Sequence, residues 1–207
     1  MAKSPALPRR RSPKCRVEHP VYELDIMLIG SDPPIWRTVV VRADASLDHL
    51  HDVIQLVMPW EECHLHQFRG REAMYVADDD VFDPFSGVGP RTEPSDKTTL
   101  RDVWQDLRDQ LVYEYDFGDS WEHWVKLIKT HPDAGAFEQL PCCLAGEKAA
   151  PPEDSGGVWG FADKLEIVRN PDPNDDWHQD VLEWMGDFDP EAFDVAEANR
   201  RLVHARK

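Results

Sequence analysis

The sequence predicts an α+β fold whose sheet is mainly antiparallel or mixed, with the element order ββα, ββ, α, ββ followed by helices at the C-terminal end. Three observations lead there. Stretches of period-two alternation come in pairs separated by turn residues. Helical spacing of apolar residues falls between those pairs and again after the last one. No strand passes through a Gly-rich turn into a helix, which argues against the doubly wound nucleotide-binding architecture.

In chain order, Tyr22 to Ile29 and Ile35 to Arg42 form the first strand pair, turned by Gly30 to Pro34. Ser46 stands where an N-cap belongs, with Asp48 in the first turn. Leu47, Leu50, Ile54 and Val57 then recur at helical spacing, and Pro59 ends the segment. His64 to Arg69 and Arg71 to Val76 read as two short strands about Gly70. Residues 78–98 are acidic and rich in Gly and Pro, which predicts a mobile loop. Thr99 and Asp102 match a capping box, with Asp where Glu or Gln is usual. Leu100, Val103 and Leu107 make the buried stripe of the helix that follows. Leu111, Tyr113, Tyr115 and Phe117 alternate with polar residues, Gly118 permits a turn, and Trp121 to Ile128 is the return strand. Residues 131–157 read as irregular. Helices are expected at Val158 to Val168, Asp175 to Met185 and Pro190 to Val203, with Pro190 in the first turn of the last.

Size and composition suit one domain over residues 17–207 preceded by a basic, disordered tail at 1–16. Eight Trp and eight Phe supply bulk for a core. No apolar run approaches the ~20 residues of a membrane span, and the N-terminus has no apolar signal segment. The four Cys form no regular framework, so reduced thiols and a cytoplasmic location are expected. Net charge is −17 overall; without the six positive charges of residues 1–16, the rest carries −23. An acidic body repels phosphates, which leaves the arm with Arg9, Arg10 and Arg11 as the part able to touch nucleic acid.

The densest polar segment is Tyr113 to His123. A two-residue or four-residue turn would put Glu114, Asp116 and His123 on one face of the hairpin; a three-residue turn would separate them. Carboxylates beside an imidazole can bind a divalent cation or act as acid and base, while Asp residues in a turn can equally satisfy backbone amides. His64 and His66, two apart on a strand, would point the same way, with Cys63 opposite. Cys142 and Cys143 follow Pro141, and one thiolate could join zinc, although no Cys-x-x-Cys pair is present. Pro151-Pro152-Glu153-Asp154-Ser155-Gly156-Gly157 is a stiff acidic corner. It could hold a cation or a basic partner group, or Asp154 or Ser155 could N-cap the next helix.

These motifs resemble one family in combination. Pro34-Ile35-Trp36-Arg37, Leu50 to Gln55, His64-Leu65-His66-Gln67-Phe68, Tyr113 to His123, Pro141-Cys142 with Gly146, Pro151 to Gly157 and Trp184 to Asp194 are similar to the plasmid pRiA4b ORF-3-like family, over about Val21 to Leu202. Its bacterial members often carry the label of transposon passenger TnpR proteins. The resemblance implies an α+β domain without an assigned molecular function. Family members often place Cys on both sides of the Pro-Pro-Glu-Asp corner, where this chain has Ala150 and Ser155. The reading that follows is a binding or accessory protein of mobile elements. Its polar site would hold a divalent metal through Asp116, His123, Cys142, Glu153 and Asp154, with Tyr115, Trp121, His64 and His66 contributing to binding. The alternative is a metal-dependent hydrolase in which Glu114 or Asp119 activates water. A third reading is nucleic-acid binding through the N-terminal arm.

Overall fold

The structure is a computed structural model that describes residues 20–71, 73–77, 91–104 and 110–205. The expected tail at 1–16 with Arg9, Arg10 and Arg11, the helix position Leu107, and loop residues 78–90 lie outside the described residues. The chain runs β1 (Val21–Leu28), β2 (Trp36–Arg42), α1 (Leu47–Val57), β3 (His66–Arg69), β4 (Ala73–Val76), β5 (Arg91–Pro94), α2 (Leu100–Val103), β6 (Gln110–Tyr115), β7 (Trp121–His131), a 3-10 turn at Ala134–Ala136, β8 (Cys142–Glu147), α3 (Gly157–Arg169), α4 (Asp176–Met185) and α5 (Val195–Leu202). The eight described strands form one mixed sheet in the order β5-β4-β3-β6-β7-β1-β2-β8. Every pairing is antiparallel except β4 with β5. The predicted α+β class with a mixed sheet and C-terminal helices is the observed one.

The core lies on one face of the sheet. Leu24 and Ile26 of β1 sit beside Val39 and Arg37 of β2 on one side, and beside Leu127 and Val125 of β7 on the other. Helix α1 begins where expected: the Ser46 side chain accepts from the His49 amide at 3.1 Å. Its stripe of Leu47, Leu50, Val53, Ile54 and Val57 is almost completely buried. Each such side chain contributes about 1.5–3 kcal/mol on leaving water. The capping box at Thr99 and Asp102 also forms, with both reciprocal bonds made.

Three expectations change. The 78–98 segment contains a strand, β5, in its described part; Arg-Thr-Glu-Pro has little strand propensity, and as an edge strand it needs only one partner. The irregular stretch 131–157 contains β8, which pairs with β2 through a register shift and is clamped by Asn199 of α5. That side chain accepts from the Cys143 amide at 2.9 Å and donates to its carbonyl at 2.8 Å. The last helix starts at Val195 rather than Pro190. Asp194 caps it by accepting from Ala196 and Glu197, while the Pro190 carbonyl accepts from the Ala149 amide.

Arg37 is buried in this core with 1% of its surface exposed. Its guanidinium donates to the carbonyls of Val57 (3.0 Å), Trp36 (2.7 Å) and Glu147 (2.9 Å), and it lies 4.0 Å from the centre of the Phe193 ring. Val57 is the last residue of α1, so the cation sits against the negative end of a helix. Burial lowers its pKa to about 10, which still leaves it charged at neutral pH. One side chain thus joins α1, β2, β8 and the segment before α5. Gly146 makes room for it: an added Cβ would stand 2.5 Å from Phe193 and 2.8 Å from Arg37 Cδ. Gly146→Ala is expected to lower stability by about 1–3 kcal/mol in urea unfolding, with an unchanged denaturant slope. A wild-type midpoint in that variant would show that the contact yields freely.

Candidate metal centre

The β6–β7 hairpin sets the geometry. Its register pairs Tyr113 with His123, Glu114 with Glu122 and Tyr115 with Trp121, around a five-residue loop of residues 116–120. An odd loop length gives the parity that separates Glu114 from His123. Tyr113, Tyr115, Trp121 and His123 enter the core face. Glu114 takes the other face, where it accepts from Gln67 (2.7 Å) and from Ser120 (2.9 Å), with Arg69 3.8 Å away. The expected grouping of Glu114, Asp116 and His123 is therefore not formed, because side-chain parity follows loop length.

His123 is fully buried, and its Nδ1 lies 3.1 Å from the Trp121 carbonyl. Its ring packs edge-on against Trp60 and tilted against Tyr113. Burial pushes the imidazole down to about 3, so it stays neutral in the folded protein. Trp121 is likewise a core residue, tilted against Trp60. Cys142 lies on β8 opposite Val40, and no described cluster of metal-ligand donors includes it or His123. Burial raises its thiol pKa, as it does more strongly for Cys143, which is pushed up to about 11.

The acidic corner does converge on the hairpin. Trp60 Nε1 donates to the Pro151 carbonyl at 2.9 Å, and the Glu61 amide donates to Glu153 Oε1 at 2.7 Å. Asp119 Oδ2 accepts from the Gly156 amide at 2.9 Å, so this carboxylate joins the two loops. Gly157, at φ +69°, sits so close to the Asp119 carbonyl that a Cβ would collide with it. Neither Asp154 nor Ser155 caps α3. Gly156 occupies the N-cap with no side-chain bond, and Ser155 donates to the Pro152 carbonyl instead. That frees Asp154 to face the hairpin.

Tyr115 links the pieces. Its hydroxyl accepts from the Cys63 amide at 3.1 Å and donates to Glu153 Oε1 at 3.0 Å. Burial, followed by its hydrogen bonds to Cys63 and Glu153, raises its pKa far above the ordinary value, so it remains a phenol. Cys63 Sγ lies 2.7 Å from Glu153 Oε2, and this bond is the largest cause of its raised pKa.

His64 supplies the imidazole of the site. It precedes β3 rather than lying on it, yet its ring packs against Tyr115 as that of His66 packs against Tyr113, so both imidazoles lie on the core side of the sheet. The Nε2 of His64 is shielded from solvent, makes no hydrogen bond among the described residues, and is surrounded by carboxylates. Asp154 Oδ1 is 3.4 Å away, Glu153 Oε2 3.6 Å and Asp116 Oδ2 3.8 Å. Asp116 and Asp154 both have left-handed backbone, at φ 56° and 57°, conformations that cost a non-Gly residue energy and recur at functional sites. Two overlapping donor groups result: Cys63 with His64 and Glu153, and His64 with Asp116 and Asp154, each with donor atoms within 4.8 Å of one another. Three carboxylates gathered on one imidazole leave excess negative charge, which a divalent cation would neutralise.

The sequence reading grouped Asp116, Glu153 and Asp154 with His123; in the structure these carboxylates gather around His64, which that reading placed among the binding residues, and Cys63, expected to point away, lies 2.7 Å from Glu153. The available signal was the density of ligand-type residues in Glu61-Glu62-Cys63-His64.

His66 belongs to a different group. It stacks on His51 at 3.5 Å, beside a cleft of about 1220 Å³. Gln55 Oε1 accepts from the Glu62 amide, so its Nε2 donates to the Tyr113 hydroxyl, which is left to donate to His51 Nδ1. That order places the His51 proton on Nε2, facing Glu62 at 3.9 Å. His51, Asp52 and Glu62 also have metal-ligand spacing.

His123 carries a pH dependence with a definite sign. Between its folded value of about 3 and the ordinary value near 6.5, the unfolded chain binds a proton that the folded chain excludes, so stability falls as pH is lowered through that window. Wild type is expected to lose about 2 kcal/mol more than His123→Gln between pH 7 and pH 5 in urea unfolding. Equal losses would mean that His123 is protonated in the fold.

The plasmid pRiA4b ORF-3-like protein family matches residues 20–197. The chain is 34% identical over 185 residues to the uncharacterized protein y4hQ of Sinorhizobium fredii, covering 88% of this chain and 90% of that protein. The crystal structure of MM3350, a protein of unknown function from Methanosarcina mazei, is similar in fold with a TM-score of 0.76. It is 35% identical, covering 87% of this chain and 97% of that one. Among the described residues no helix is long and apolar enough to cross a membrane. On the extent of these matches, the chain belongs to the plasmid pRiA4b ORF-3-like protein family.

Proposed function

We propose that this protein binds one divalent metal ion between the β6–β7 loop and the acidic corner, with His64, Asp116, Glu153 and Asp154 as ligands. The observation that carries this reading is the shielded His64 Nε2, which makes no hydrogen bond and has three carboxylate oxygens 3.4–3.8 Å away. Those distances are too long for hydrogen bonds of ordinary strength, and they leave room for an ion whose bonds to each donor are ~2.0–2.2 Å. The donors come from three separate segments, so an ion would crosslink them.

A binding role suits the surroundings better than hydrolysis. Of the two groups considered as activators of water, Glu114 is engaged on the opposite face and Asp119 is hydrogen-bonded to the Gly156 amide. The accessory role with mobile elements draws its support from the plasmid in the family's description.

Zinc-loaded, desalted protein is expected to retain one metal ion per chain, and His64→Ala or Asp116→Asn is expected to lose it. At ~100 times the dissociation constant, zinc should stabilise wild type by about 2.7 kcal/mol and leave His64→Ala unchanged. Equal metal content and equal thermal stabilisation in wild type and His64→Ala would refute the site.

A further inference from the structure

The donors around His64 are not all oxygen, and this bears on which ion the site takes. Resting on the binding reading above, we propose that Cys63 is a thiolate ligand of this site. The site would then select a borderline-soft ion of the zinc class over Mg²⁺ or Ca²⁺.

Cys63 Sγ stands 2.7 Å from Glu153 Oε2, and Sγ, a His64 ring nitrogen and a Glu153 oxygen all lie within 4.8 Å of one another. Donors sharing one zinc ion at ~2.0–2.3 Å stand roughly 3–4 Å apart, so small side-chain movements suffice. The exposed Cys63 has its backbone fixed beside Glu153: its amide is held by the Tyr115 hydroxyl at 3.1 Å, and the same hydroxyl holds Glu153 at 3.0 Å. Tyr115 thus orients two ligands from behind, the arrangement by which outer partners tune metal sites. On the far side of His64 Nε2 lie Asp154 and Asp116. Cys63, His64, Glu153, Asp116 and Asp154 together offer one ion five donors, and zinc takes four or, expanded, five. Mg²⁺ and Ca²⁺ take oxygen donors and gain nothing from sulfur or imidazole. On binding, the S–H bond breaks as the sulfur–metal bond forms, the proton passes to solvent, and no group changes oxidation state.

Cobalt(II) titration of the full chain tests this, with bound metal counted by equilibrium dialysis and the spectrum recorded in parallel. Wild type should bind one Co²⁺ with a near-ultraviolet sulfur-to-cobalt charge-transfer band and strong visible bands of a tetrahedral site, undiminished by excess Mg²⁺. Cys63→Ser should lose the charge-transfer band and bind Co²⁺ more than about tenfold more weakly. Cys142→Ser should keep the band. Co²⁺ bound to wild type without a charge-transfer band, or a band that survives Cys63→Ser, would overturn the thiolate assignment while leaving the metal site standing. Wild type that retains no Co²⁺ would overturn the metal site as well. The wild-type spectrum decides the matter even if Cys63→Ser folds poorly.

Discussion

The carboxylate of Glu153 holds the candidate site together. It accepts from the Glu61 amide and the Tyr115 hydroxyl through one oxygen, while the other lies against the Cys63 thiol and His64. These partners come from the loop before β3 and from the end of β6, while Glu153 itself sits in the corner before α3. A hydrogen bond to a charged group contributes about 1.5–3 kcal/mol, and leaving such a charge without partners costs more. The corner is therefore bound to the hairpin chiefly through one side chain, with Trp60 to Pro151 and Asp119 to Gly156 as flanking ties.

The protein handles buried charge in two different ways. Arg37 is a buried cation satisfied by backbone carbonyls and a helix end, and its role is to join elements. At His64 the excess is negative and the surrounding carboxylates are not matched by a neighbouring cation among the contacts described. The first arrangement is electrostatically closed. The second, partly open to solvent at Asp154 and Cys63, is the kind that a mobile cation completes.

Much of the local structure was legible from residue types. The Ser46 cap, the Thr99–Asp102 capping box and the apolar stripe of α1 depend on residues three or four apart, and they formed as read. Strands β5 and β8 were not legible. Arg91–Pro94 and Cys142–Glu147 lack alternation because each lies at an edge of the sheet, where one neighbour and a clamp such as Asn199 substitute for propensity.

The sequence by itself determined the α+β class, the starts of α1 and α2 and the conformational stiffness of the Pro151–Gly157 corner, since these rest on residues close together along the chain. Tertiary structure decided which histidine meets that corner. A loop of five residues puts His123 in the core, and left-handed backbone at Glu62 immediately precedes Cys63 and His64, which meet Glu153. Loop length parity and local handedness are settled by packing between segments about 50 to 90 residues apart, such as Tyr115 with Cys63 and Cys63 with Glu153. Such long-range choices leave little trace in the order of residues.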